Sequence, residues 1–166
     1  ALAGNRTDLW PRARCADAVM SADGVSEAAI DAIMRIMDAA FDPQWGEAWN
    51  RSQVASALIL SHTHASLLGL DGTVPAEPGE EEILLIAVEP AARRCGVGRA
   101  LIAMLAANAR LRGAERLFLE MRENNPARSL YESNGFAPIG RRKNYYRLGD
   151  GARMDAITFG LDLTDK

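Results

Sequence analysis

A chain of 166 residues with 48% hydrophobic and 25% charged residues can bury one sizeable core and has an ordinary globular balance. Its formal net charge of −3 excludes the strong basic excess of a general nucleic-acid binder. Cys15 and Cys95 stand far apart, no apolar run approaches ~20 residues, and the N-terminus has no signal-peptide layout. A reduced, cytoplasmic protein with no membrane segment is expected.

In chain order, Ala1–Arg14 has no hydrophobic period and reads as a tail, leaving residues 15–166 as a single domain. Asp17–Ala22 reads as a strand ended by Asp23-Gly24, and Ser26 as the N-cap of a helix. That helix carries Ile30, Ile33, Met34, Met37 and Phe41 on one apolar stripe. Pro43 and Gly46 break it, and the loop that follows holds Trp45 and Trp49. Two tryptophans there are either a local hydrophobic plug or the rim of a substrate site. Ser52–Leu60 reads as a second helix. His62 and His64 have no acidic or thiol ligand near them in sequence, so no metal site is expected.

Ala65–Leu70 reads as a strand ending in the hairpin pair Asp71-Gly72. Thr73–Gly79 then contains two prolines, which oppose a central strand, and Glu80, Glu81 and Glu82 read as solvated surface. Ile83–Val88 is a buried strand. It leads through Arg93-Arg94-Cys95-Gly96-Val97-Gly98 into a helix with Leu101, Leu105 and Leu111, stopped by Gly113. Arg116–Arg122 places Leu117, Leu119 and Met121 on one strand face and Phe118 and Glu120 on the other. Pro126 suits the start of a helix that Gly135 ends. Phe136–Leu148 and Arg153–Leu163 form a closing antiparallel pair around Gly149-Asp150-Gly151. The order implies a mixed α/β sheet with helices packed on it.

A strand, a basic glycine turn and a helix offer backbone N–H groups and a positive dipole end to a phosphate. Alone, such a turn is equally a helix cap that binds nothing. It lacks a P-loop lysine and the three-glycine dinucleotide spacing. In context, Arg93-x-x-Gly96-x-Gly98 resembles the acetyl-CoA motif of the Gcn5-related N-acetyltransferases, which reads Gln/Arg-x-x-Gly-x-Gly/Ala. Asn124-x-x-Ala127-x-x-Leu130-Tyr131-Glu132-x-x-Gly135-Phe136 resembles that family's second hallmark.

The resemblance implies a mostly antiparallel mixed sheet, flanked by helices, whose central parallel strands splay apart around acetyl-CoA. Backbone at Ile86, Ala87 and Val88 would hold the pantetheine. The Val88 amide would face the acetyl carbonyl. The turn from Arg93 through Arg94, Cys95, Gly96, Val97 and Gly98 to Arg99 would clasp the pyrophosphate, with the two glycines letting the backbone approach, and Asn124 would bind from the other side. Tyr131 corresponds to the family's general acid for the departing thiolate, and Glu120 lies on the strand that carries its general base. Their bland readings are a core tyrosine and an outward strand glutamate. Cys95, in the turn, would be too far from the acetyl group to act as nucleophile, so direct transfer is implied.

Two features depart from the family pattern. Glu120 and Tyr131 are eleven residues apart, one fewer than in the most similar subfamily; either the loop 122–124 absorbs the difference or Glu120 leaves its register. The two prolines of Thr73–Gly79 lead us to expect the third strand abbreviated or missing.

Ala40-Phe41, Ala127–Phe136 and Arg141-Arg142-Lys143-Asn144-Tyr145-Tyr146 followed by Asp155-Ala156 resemble the bacterial ribosomal-protein-alanine N-acetyltransferases. That resemblance implies a peptide partner, the N-terminal alanine of a small-subunit ribosomal protein. Trp45, Tyr145 and Tyr146 are candidate substrate contacts; on a regular strand the two tyrosines would alternate, one facing substrate and the other the core. An α-amine of pKa ~7.8 is easier to deprotonate than a lysine of ~10.4 by roughly 3.5 kcal/mol, which fits a single water-linked glutamate without requiring this target. A small-molecule amine as acceptor, or an inactive acyl-CoA-binding module, are the rival readings.

Overall fold

The computed structural model describes residues 27–59, 64–67, 70–77, 79–148 and 151–164, the backbone alone for 64–67 and 70–77. The expected strand at Asp17–Ala22, the Ser26 cap, Cys15 and His62 lie outside these residues.

Helix α1 (Glu27–Ala40) buries Ile30, Ile33 and Met37, with Met34 and Phe41 packed beside them. Those positions recur at three- and four-residue steps, so the sequence stripe is the core stripe. The chain leaves α1 through a 3₁₀ turn, Pro43–Trp45, whose Gln44 N–H donates to Asp42 Oδ1 at 3.0 Å. Gly46 then takes a left-handed φ of 62°. Helix α2 (Arg51–Ile59) starts on a reciprocal cap: Gln53 N–H donates to Asn50 Oδ1 at 3.0 Å and Asn50 N–H to Gln53 Oε1 at 2.9 Å. Val54 and Leu58 close the second face of this small core.

Strands β1 (His64–Leu67), β2 (Leu70–Glu77), β3 (Glu80–Ala87), β4 (Arg116–Arg122), β5 (Ala137–Arg147) and β6 (Arg153–Asp162) form one sheet in the order β1-β2-β3-β4-β6-β5. Every neighbouring pair is antiparallel except β3 and β4. Those two run parallel and pair only at Glu80–Arg116, Glu81–Leu117 and Glu82–Phe118. Beyond that point they part, and the cleft between them is the opening that the fold places at the centre of the sheet.

Two expectations are corrected. The strand between residue 70 and Ile83 is neither abbreviated nor missing: β2 is eight residues long and pairs with β3 along its length. Its Pro75 sits where the register with β3 shifts, between Pro75 and Glu77, a place where proline is tolerated. Asp71 and Gly72 do not reverse the chain either. They sit inside β2, opposite Ser66 and Ala65.

Helices α3 (Val97–Leu111) and α4 (Arg128–Ser133) complete the fold. Leu105, Ala106 and Ala109 of α3 pack with Leu117, Leu119 and Met121 of β4, and with Tyr131, Phe136 and Phe159, in the main core. Glu81, expected on solvated surface, is instead buried, its carboxylate held by a fork from Arg112, at 2.8 and 2.6 Å, which ties the end of α3 to the start of β3.

Candidate active site

The side of β4 opposite the main core carries Glu120. Phe118, Glu120 and Arg122 alternate with the buried Leu117, Leu119 and Met121, so all three point to one face. Glu82 of β3 stands opposite Phe118 on that face. Across the sheet, Arg122 pairs with Ala156, and Ala156 with Arg142 of β5. Arg142 therefore shares the face, and its Nε reaches Glu120 Oε2 at 3.3 Å.

The two tyrosines of β5 alternate across a bulge. Arg142 pairs with Ala156 and Tyr146 with Met154, so three residues on β5 bulge against one on β6. Asn144 takes φ 55°, and its N–H donates to Asp155 Oδ1 at 2.8 Å. That contact, with Arg141 next, holds the Asp155 carboxyl below its ordinary pKa. Tyr146 keeps the face of Arg142 and Glu120 and is half-buried, while Tyr145 is 51% exposed rather than in the core. The rings meet edge to face at 5.2 Å.

Tyr131 comes from α4 and is 8% exposed, edge to face with Phe136 at 5.7 Å. Burial, and then the charge of Glu47, push its hydroxyl up to about 12. Tyr146 is likewise raised to about 12, by burial first, then Glu120 and Glu47. Both tyrosines are thus protonated at neutral pH and both sense Glu47.

Glu47 and Arg122 went unrecognised in the sequence. Arg122 Nε donates to Glu47 Oε1 at 2.9 Å, and its guanidinium carbon lies 4.1 Å from the centre of the Trp45 ring. Its Nη1 donates to the Asn124 carbonyl at 3.2 Å and to Asn124 Oδ1 at 2.5 Å. Trp45 and Asn124 are therefore brought to one guanidinium. The available signal was parity: Arg122 is two residues from Glu120 on a strand and shares its face.

The glycine turn forms the other end of the cleft. Arg94 and Gly96 adopt φ of 64° and 87°, and nothing lies within 4 Å of a Cβ placed at Gly96. Such a turn exposes successive N–H groups, and with the first turn of α3 at Val97 it makes an anion cradle. Cys95 is an exposed free thiol, and Arg94 and Arg99 are exposed at the mouth. Arg93 is placed differently from the expectation. Its Nε donates to the Val88 carbonyl at 3.1 Å and its Nη2 to the Ala40 carbonyl at 2.7 Å, so it braces backbone instead of facing the cradle. Ile86 and Ala87 lie on β3 where it has already separated from β4, with Val88 next in the chain.

Residues 48–138 match the acetyltransferase (GNAT) domain family. This chain belongs to the GNAT acetyltransferases. Over 84 residues it is 40% identical to a [ribosomal protein bS18]-alanine N-acetyltransferase of Haemophilus influenzae, covering 51% of this chain and 58% of that protein. A protein of the same name from Escherichia coli K12 is 43% identical over 86 residues, covering 51% and 57%. The chain thus spans somewhat over half the length of these curated relatives. The crystal structure of the ribosomal-protein-S18-alanine N-acetyltransferase from Escherichia coli is similar over 86% of this chain and 92% of its own, with TM-score 0.69 and 30% identity. The mixed sheet with parted β3 and β4 is the GNAT fold expected from the two sequence hallmarks. No helix among the described residues is long and apolar enough to cross a membrane.

Proposed function

We propose that this GNAT domain transfers an acetyl group from acetyl-CoA directly to the N-terminal alanine of a small-subunit ribosomal protein, in the cytoplasm. The observation that carries the reading is Glu120 beside Tyr146 on the face of the sheet where β3 and β4 part, with Glu47 felt by both Tyr146 and Tyr131, in a chain whose relatives are named for that reaction.

The residues fit the cofactor. The cradle from Arg94 to Arg99 suits a diphosphate, because its left-handed turn leaves N–H groups facing outward and open space at Gly96. Ile86, Ala87 and Val88 offer unpaired strand edge beyond the last β3–β4 pair, which suits an amide-bearing arm such as pantetheine. Asn124 closes the opposite side. Acetyl-CoA supplies an activated thioester carbonyl there.

Glu120 takes the proton from the acceptor amine, directly or through water. Arg142 holds it in place and, being 62% exposed, can move aside for a cationic peptide. Tyr131 donates a hydrogen bond to the departing sulfur. A phenol at about 12 would give its proton uphill to a free thiolate of ~8.5, but the burial that raises the phenol raises a buried thiol as well. Tyr146 and Trp45 line the acceptor side, with Tyr145 at its outer rim.

The test is mass spectrometry of a peptide beginning Ala-Arg-Tyr after incubation with acetyl-CoA, with released thiol assayed in parallel. One acetyl on the α-amine is expected, lost in Tyr131→Phe and reduced about 10²-fold or more in Glu120→Gln. Unchanged rates in both variants would refute the assigned roles while leaving cofactor binding standing.

A further inference from the structure

The roles above leave Glu47 unused. Glu47 is 18% exposed at its side chain, and it is fixed by an Arg122 side chain that is only 8% exposed. Arg122 is itself held on three sides: by Glu47, by the Trp45 ring and by Asn124. A guanidinium so enclosed has little freedom, so the carboxylate it grips has little either. The grip uses Glu47 Oε1. Oε2 has no hydrogen-bond partner among the described residues.

Its surroundings place Glu47 beside the candidate acceptor site. Arg122 shares a strand face with Glu120, which brings Glu47 to the same face. The hydroxyls of Tyr131 and Tyr146 both feel the Glu47 charge, so the carboxylate lies near both. Glu120, by contrast, already has a cation beside it in Arg142. An α-ammonium brings three donors, and one general base satisfies only one of them.

We propose that Glu47 is a further acceptor-binding residue, whose free Oε2 accepts a hydrogen bond from the incoming α-ammonium, with Arg122 and Trp45 as the positioning residues that aim it. This rests on the N-terminal-amine reading of the site. Glu47 holds the charged amine before its proton leaves, and Glu120 then removes that proton. Binding therefore discriminates the free amine from the acetylated product, which carries no charge and has lost two of the three donors.

Calorimetry on the enzyme loaded with CoA tests this, titrating an Ala-Arg-Tyr peptide and its Nα-acetylated counterpart. The wild type is expected to bind the free amine about tenfold more tightly, as for one charge-assisted hydrogen bond. In Glu47→Gln that ratio is expected to fall to about one to two, with CoA affinity unchanged. Glu47→Asp, which keeps the charge, is expected to retain part of it. If Glu47→Gln does not fold because Arg122 is left without its counter-charge, the neutral pair Glu47→Gln/Arg122→Gln answers the same question. A retained tenfold ratio in the neutral variants, with the wild type still acetylating the peptide, overturns the Glu47 assignment alone. Failure of the wild type to bind either peptide overturns the acceptor reading and Glu47 with it.

Discussion

Gly98 and Leu130 approach so closely that a Cβ at residue 98 would stand 2.9 Å from Leu130 Cδ2. The first turn of α3 is therefore packed directly on α4, the helix that carries Tyr131. Gly96, two residues earlier, has open space around its Cα but a φ of 87°. The two glycines are needed for different reasons, and alanine separates them. At 96 it forces a side chain into the left-handed region, at a cost of about 1–2 kcal/mol. At 98 the clash is with the end of a flexible side chain, and alanine's helical preference of about 1 kcal/mol offsets it. Chemical denaturation should show Gly96→Ala destabilised by that amount and Gly98→Ala within about 1 kcal/mol of wild type. Equal losses at both would contradict the packing account.

The glycine motif shows what was legible and what was not. Its strand, turn and helix were readable because each rests on local signals: a short apolar run, a glycine turn and a 3.6-residue stripe. The main-core residues of β4 followed from period two alone. Three features depended on contacts distant in sequence. Glu81 is buried because Arg112, 31 residues on, forks its carboxylate. The bulge beside Tyr145 is anchored where Asn144 N–H donates to Asp155 on the neighbouring strand. Glu47 meets Arg122 across 75 residues. None of these leaves a trace in a window of ten residues.

Arg93 and Arg94 are adjacent in the turn but differ in work. Arg93 bridges the carbonyls of Val88 and Ala40, joining the end of β3 to the end of α1. Arg93→Gln should cost about 1 kcal/mol of stability. Arg94 makes no such bridge and is exposed at the cradle. Arg94→Gln should leave the melting temperature unchanged while weakening CoA about fivefold, with a shallower salt dependence of binding. Thermal melts and CoA titrations at two ionic strengths measure both. A stability loss in Arg94→Gln without a change in CoA affinity would reverse the assignment.

Tyr131 links the site to stability at high pH. Its hydroxyl ionises near 12 in the folded protein, against an ordinary ~10 when unfolded. Below pH ~10 both states hold the proton, and the native environment contributes fully. Between ~10 and about 12 only the unfolded state has released it, so stability falls as pH rises. By pH ~11 the loss from this group is about 1.4 kcal/mol. Phenylalanine has no such proton. Urea denaturation at pH 8 and pH 11 should therefore show Tyr131→Phe losing less stability over that interval than wild type, by about that amount. Equal slopes would mean that the hydroxyl is open to water, and the buried donor role would fall with it.

Glu82 reports the field around Glu120. It is half-buried on β3, and burial is the main reason its pKa is raised; the charge of Glu120 raises it further and Arg142 opposes both. Arg142→Gln removes the opposing cation, so Glu82 should keep its proton to higher pH. Glu120→Gln removes a neighbouring anion, so it should release its proton at lower pH. The Arg142–Glu120 pair spans 3.3 Å with Arg142 largely exposed, so either change should cost less than about 1 kcal/mol of stability. The Glu82 carboxyl carbon, followed by NMR between pH 3 and pH 8, distinguishes the two directions. Opposite shifts would place Glu82, Glu120 and Arg142 in one electrostatic group on the acceptor face. Shifts of the same sign, or none, would separate Glu82 from the base and make its raised pKa a matter of burial alone.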